Sequence, residues 1–240
     1  MTFSEQGYAL ITGASSGIGK ATALAFGQTG IPLILVSRSP DRLEATATEV
    51  RKTGATVETC ALDLAQVDQV KPRLEAIAAQ FPIDILVNNA GMGYTGDLLT
   101  TSLDDWQRVM TLNLTSVLLC IQAIVPGMRD RQHGTIINIA SIAAHQAFPG
   151  WGAYNVSKAG LVALSKTLAA EERPHGIRVV SLSPGAVNTP IWDTDTVKAD
   201  FDRTKMLTPE IVAQTILHTA LLPSQAVVEE LTLMPTAGAL

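Results

Sequence analysis

Short apolar runs and longer amphipathic stretches alternate along this chain with a regular beat, and that alternation leaves few folds open. Strand-like runs fall at 8–12, 32–37, 56–62, 83–88, 134–140, 177–183 and 227–234. Helical spacing fills 17–29, 40–52, 66–80, 103–130, 153–173 and 208–222. Strands separated by ten or more helical residues read as repeated βαβ units. Runs such as PLILVS and IDILVN are apolar throughout, as in strands of a parallel sheet covered on both faces. The expectation is an α/β, doubly wound, Rossmann-type domain over residues 1–240: a seven-stranded parallel sheet with helices on both faces. Only 184–207 lacks clear periodicity. A loop that long inside a compact domain is usually functional or disordered, and its part from about 190 to 207 is expected to cover a substrate.

Composition narrows the partners. Hydrophobic residues make up 47% and charged residues 16%, a balance that describes a large buried interior. A net charge of -5 gives no electrostatic reason to expect nucleic acid or an anionic membrane. No run approaches the apolar length of a membrane span, and MTFSEQGYALITG lacks the basic and apolar regions of a leader. Cys60 and Cys120 stand far apart without metal-ligand spacing, so no metal site is expected. A disulfide is open only if folding brings them together. Buried thiols in a reducing compartment, and hence a cytoplasmic protein, are the expectation.

The first strand runs into Thr12-Gly13-Ala14-Ser15-Ser16-Gly17-Ile18-Gly19, where a helix opens. Glycines let a backbone turn tightly against a diphosphate, and free N–H groups at a helix start meet its charge. The spacing is G-x-x-x-G-x-G rather than the G-x-G-x-x-G of many dinucleotide sites. A Gly/Ser turn of this kind can be purely structural; its place at the end of the first strand favours phosphate.

Further motifs follow in order. Asn88-Asn89-Ala90-Gly91 ends the fourth strand, Asn113 lies in the next helix, and Ser141 follows the fifth strand. Tyr154 and Lys158 form YxxxK, and Pro184-Gly185 follows the sixth strand. With this ordered set the sequence resembles the short-chain dehydrogenase/reductase family in its single-domain form. The resemblance implies an oxidoreductase acting on CH–OH groups or carbonyls. It also implies catalytic roles for Asn113, Ser141, Tyr154 and Lys158: Ser141 bonding the substrate oxygen, Tyr154 moving the proton, and Asn113 holding a relay water. Lys158 would also hold the nicotinamide ribose hydroxyls.

The residues themselves support that chemistry. Four positions apart on a helix, Tyr154 and Lys158 share one face, about 6 Å apart at the backbone. A neighbouring ammonium should lower the phenol's pKa toward the range useful for acid–base work. Without the other motifs such a pair would be ordinary packing and solvation.

At the end of the second strand an NAD site would carry a carboxylate for the ribose 2′-hydroxyl, yet here stand Ser37 and Arg38. A guanidinium can pair with a 2′-phosphate, with Ser15 as a second contact, so NADP(H) is the expected cofactor. The resemblance adds Asp63 and Leu64 at the adenine, Asn89 and Gly91 along its ribose, and Val187 and Thr189 at the nicotinamide carboxamide. Asp63 alone would equally suit a helix cap. The substrate wall is expected from Met92, Gly93, Tyr94, the stretch from His145 to Trp151, and the loop with Trp192, and Ser141 and Tyr154 face the same substrate. This mostly apolar lining suits a modest carbonyl or alcohol. His145 reads more readily as a solvated loop residue than as a substrate contact.

The ending VEELTLMP departs from the V-D-G-G-like segment of many acyl-carrier-protein thioester reductases in the family, which weakens that alternative. A second alternative, a non-catalytic NADP(H)-binding regulator, would not need the complete proton relay. An epimerase or dehydratase of nucleotide sugars would call for a longer C-terminal region. The resemblance further implies a homodimer or homotetramer through the long helices 103–130 and 153–173.

Overall fold

The apolar runs pair side by side in one parallel sheet: β1 (Tyr8–Thr12), β2 (Leu33–Ser37), β3 (Val57–Ala61), β4 (Ile83–Asn88), β5 (Gly134–Ile139), β6 (Ile177–Pro184) and β7 (Glu230–Leu233). Their order is β3-β2-β1-β4-β5-β6-β7. This is a computed structural model that describes residues 7–239. Residues 1–6, on which the expectation of no leader partly rests, lie outside the described residues, as does 240.

Successive side chains along a strand point to opposite faces, so each central strand feeds two cores. Ala9, Ile11, Leu33 and Leu35 pack with α1 (Gly17–Gly27), α2 (Pro40–Arg51) and α7 (Pro209–Ala220). Leu10, Ile34, Val36 and Leu86 pack with α3 (Val67–Ala78), α5 (Ser116–Arg131) and α6 (Gly152–Glu172). Burial on both faces holds for the inner strands and fails at the edges. In β3, Glu58, Thr59 and Ala61 are exposed, and β7 begins only at Glu230, three residues later than the apolar run suggests. An edge strand has a neighbour on one side only, so its outer positions stay wet.

The expected helix 103–130 is interrupted. α4 (Leu103–Met110) gives way to a π-turn at Thr111–Thr115 before α5 resumes the α-helical spacing. By length and composition this continuous run, Leu103–Arg131, could cross a membrane. The composition therefore comes closer to a membrane span than the sequence reading allowed, but half of its most apolar window is buried against the sheet and its neighbours, as in a core helix.

The aperiodic stretch after β6 is tied down at several points. Val187 pairs with Leu207, the Trp192 indole N–H donates to the Val187 carbonyl at 2.7 Å, and Arg203 bridges to Asp193 at 2.7 Å. Its middle is clasped to the segment after β4: Thr196 Oγ1 donates to the Gly93 carbonyl, and Thr95 N–H to the Thr196 carbonyl, both at 2.8 Å. Cys60 and Cys120 are free and buried, and burial pushes the Cys120 thiol up to about 12.

Candidate active site

Strand order reverses between β1 and β4, and the crevice this opens at the carboxyl ends of the strands is where α/β sheets take their ligands. A cavity of about 820 Å³ lies there, lined by the turns that follow β1 to β6. Among the described residues no group of three or more His, Cys, Asp or Glu side chains is placed to hold a metal ion.

One end of the cavity is built for a dinucleotide. Gly13 adopts φ +67°, where a side chain would be strained, and a Cβ there would stand 2.9 Å from Ala90 Cα. A Cβ on Gly19 would run into the Gly13 carbonyl oxygen, so Gly19 packs beneath the turn rather than lining the cavity. Ser16 caps α1 by position but makes no side-chain cap bond, leaving first-turn N–H groups without partners in the helix. Gly13, Ser15, Ser16, Gly17 and Ile18 all face the space. Asn89 holds this turn in place: its Nδ2 donates to the Thr12 carbonyl at 2.9 Å. The same side chain therefore anchors the loop while Asn89 lines the wall.

Beyond the glycine turn, Ser37 Oγ donates to Ser15 Oγ at 2.7 Å, beside Arg38. Arg42 stands with them and was missed in the sequence. The signal was available: it lies four residues after Arg38, in the first turn of the helix that Pro40 opens. Asp63 and Leu64 line the same end. Asp63 accepts from Ala65 N–H at 3.0 Å, and α3 starts only at Val67, so Asp63 shapes a turn instead of capping that helix.

The catalytic candidates meet where β4 and β5 end. Ser141, Tyr154 and Lys158 line one wall, with Gly91 opposite; a Cβ on Gly91 would lie 3.6 Å from Lys158 Nζ. Lys158 is buried and donates to the Ile139 carbonyl at 2.8 Å. Burial draws its ammonium down to about 8, because an ion without water favours the neutral form. Tyr154 departs from expectation. Its phenol is held above the usual tyrosine range by burial, and the hydrogen bond with Ser141 only partly offsets this. Lys158 Nζ sits 5.8 Å from the ring centroid and bonds elsewhere, so no lowering by the ammonium is evident in this arrangement.

Asn113 stands behind the wall, fully buried in the π-turn. Its Nδ2 donates to the Met92 carbonyl at 2.9 Å and to Ser157 Oγ at 3.0 Å, and its Oδ1 accepts from Met92 N–H at 2.8 Å. With both amide protons committed to protein, the side chain has no donor left for a relay water. Ser157, which no motif singled out, is its second partner.

At the other end lie Met92, Gly93, Trp151 and Trp192, joined by Leu112 and Arg108, which the sequence did not flag. Pro184, Gly185, Val187 and Thr189 line the cavity as well. Of the expected wall, the stretch from His145 to Trp151 contributes only Phe148 and Trp151, and Tyr94 lies off the cavity too. The Tyr94 hydroxyl reaches Asp105 at 3.3 Å, and His145 Nε2 reaches Ser183 Oγ at 2.9 Å and Glu230 at 3.4 Å.

Comparison with known proteins agrees with this geometry. A 3-oxoacyl-(acyl-carrier-protein) reductase of Synechocystis sp. is 36% identical over 225 residues, covering 91% of this chain and 90% of that protein. Among solved structures, an alcohol dehydrogenase of Thermococcus sibiricus complexed with 5-hydroxy-NADP superposes with a TM-score of 0.87 at 31% identity, over 97% of each chain. A metagenomic short-chain oxidoreductase in complex with NADP does so at 0.84 and 31%, over 96% of this chain and 97% of the other. The short chain dehydrogenase family model matches residues 7–199, and the protein belongs to that family.

Proposed function

We propose that this single-domain oxidoreductase transfers a hydride between NADP(H) and a carbonyl carbon or its secondary alcohol. The observation that carries the reading is the meeting of Ser141, Tyr154 and Lys158 with the glycine turn around one cavity. When bound, the nicotinamide ring supplies or takes up the hydride. Everything else falls to the chain. Backbone N–H groups from Gly13 to Ile18 receive the diphosphate, Arg38 and Arg42 with Ser15 and Ser37 the 2′-phosphate, and Asp63 and Leu64 the adenine. Asn89 and Gly91 border the adenine ribose, Lys158 holds the nicotinamide ribose, and Pro184, Gly185, Val187 and Thr189 border the carboxamide. Two solved relatives that hold NADP or its hydroxylated form support the choice of cofactor.

Ser141 and Tyr154 together grip the substrate oxygen, between Met92, Trp151 and Trp192. With its pKa raised by burial, Tyr154 carries its proton at neutral pH, the state from which it can protonate a carbonyl oxygen as the carbon gains hydride. Asn113 acts by fixing Met92 and Ser157, and only atoms other than its amide protons are left for a relay. Reduction of a 3-oxoacyl thioester, the activity named for the Synechocystis relative, is the second reading. A homo-oligomer is supported by apolar side chains exposed on α4, α5 and α6, and a reducing cytoplasmic setting by two buried free thiols.

Tyr154→Phe is the test. Carbonyl reduction by NADPH should fall by roughly a hundredfold to ten-thousandfold, with NADPH affinity by fluorescence titration within about twofold of wild type. Undiminished turnover would remove Tyr154 from the chemistry.

A further inference from the structure

A row of four rings leads from Tyr154 to the loop after β6 that lines the cavity. Tyr154 meets Trp151 at 5.5 Å, Trp151 meets Trp192 at 5.9 Å, and Trp192 meets Phe201 at 5.3 Å, each near edge-to-face. All four are only partly covered by protein and all four line the cavity. Trp192 is not free to swing, since its N–H is bonded to the Val187 carbonyl at 2.7 Å. Rings packed edge-to-face and held in this way form a fixed aromatic wall along the cavity.

The charges around this end point the same way. Arg108 is paired with Asp105 at 2.8 Å, Asp193 with Arg203 at 2.7 Å, and Lys158 is bonded to the Ile139 carbonyl. That leaves Asp195, on the loop, with no ion-pair partner among the described residues. A substrate carboxylate entering at this end loses water and faces an extra anion, while the cations that line this end, Arg108 and Lys158, already have partners.

Building on the hydride-transfer reading above, we propose that the substrate is a neutral ketone or secondary alcohol bearing an aromatic or alicyclic ring beside the reacting carbon. The ring lies against Trp151 and Trp192 while its oxygen reaches Tyr154 and Ser141. Substrates that carry a carboxylate, or reach the site on a long thioester arm, use none of these surfaces.

The experiment compares kcat/KM with NADPH for acetophenone, methyl hexyl ketone, an acetylbenzoate, and the acetoacetyl thioester of N-acetylcysteamine. Acetophenone should lead the open-chain ketone by about tenfold, the scale of one good aromatic contact. It should lead the acetylbenzoate and the thioester by more. Trp192→Ala should bring the acetophenone preference close to unity. Trp192→Phe keeps a ring but drops the bond to Val187, and it should retain most of the preference. Asp195→Lys should improve the acetylbenzoate selectively. Equal or better turnover of the open-chain ketone, the carboxylate or the thioester overturns the substrate class and leaves hydride transfer standing. Equal loss of preference in both Trp192 variants also overturns it, since the indole then acts only as a loop tether. Silence on every carbonyl overturns the hydride-transfer reading itself.

Discussion

Lys158 is 5% exposed, and burial holds its ammonium at about 8 against an ordinary 10.5. Below about 8 the lysine is charged in both the folded and the unfolded chain, so folding strips water from an ion and the penalty is present in full. As pH rises from 8 toward 10.5 the folded state sheds its proton first, and the penalty disappears. The gap corresponds to roughly 3 kcal/mol against the folded state at neutral pH. Lys158→Met should therefore be inactive yet more stable at neutral pH by about 1–2 kcal/mol, after allowing for the Ile139 carbonyl left without its donor. Urea unfolding across a pH series should show the advantage shrinking above pH 8; a constant difference would contradict it. Arg38 and Arg42 carry a second prediction at this scale. Alanine at either should weaken NADPH binding about tenfold and leave NADH binding nearly unchanged, because only the phosphate is lost as a partner.

The π-turn at Thr111–Thr115 is the element that matters most for the site. It sets Asn113 inward, where one side chain holds both backbone groups of Met92 and the Ser157 hydroxyl. Asn113→Ala should cost about 2–4 kcal/mol, since buried polar partners are left unmade. The urea midpoint should fall with an unchanged slope, together with activity, as Met92 and Ser157 lose their tie to each other. An unchanged midpoint would mean that the turn is held by other contacts. Local sequence could not reveal this turn. LNLTS continues the helical spacing on either side, and the partner that Asn113 bonds from this turn, Met92, is twenty-one residues away. The regular elements were readable to within about two residues, except β7, whose first apolar positions, Val227 and Val228, lie before the register pairs with β6 begin at Glu230.

At the scale of the whole molecule, Leu103, Leu118 and Val156 are 68%, 39% and 47% exposed on α4, α5 and α6. Isolated exposed apolar side chains are ordinary, but two leucines and a valine on the helices expected to pair across a dimer suit contact with a second copy. Leu103→Asp with Val156→Asp should shift the protein toward monomer, as read by light scattering after size exclusion. A wild-type protein that is already monomeric at micromolar concentration would rule out this interface.

The doubly wound sheet and the place of the site follow from the sequence alone, for a physical reason. Strand and helix periodicities and turn glycines are local properties, and a parallel sheet opens its crevice only at the carboxyl ends of its strands. Gly13 to Ile18, Ser141, Tyr154 and Lys158 were therefore legible. Tertiary structure alone decided how those groups are poised. Burial, not a neighbouring charge, governs Tyr154, and it depends on every element packed around the ring. Packing likewise spent the Asn113 amide on Met92, turned Tyr94 and His145 away, and brought Arg42 in. Which bonds a polar side chain makes depends on partners distant in sequence, and no local pattern encodes them.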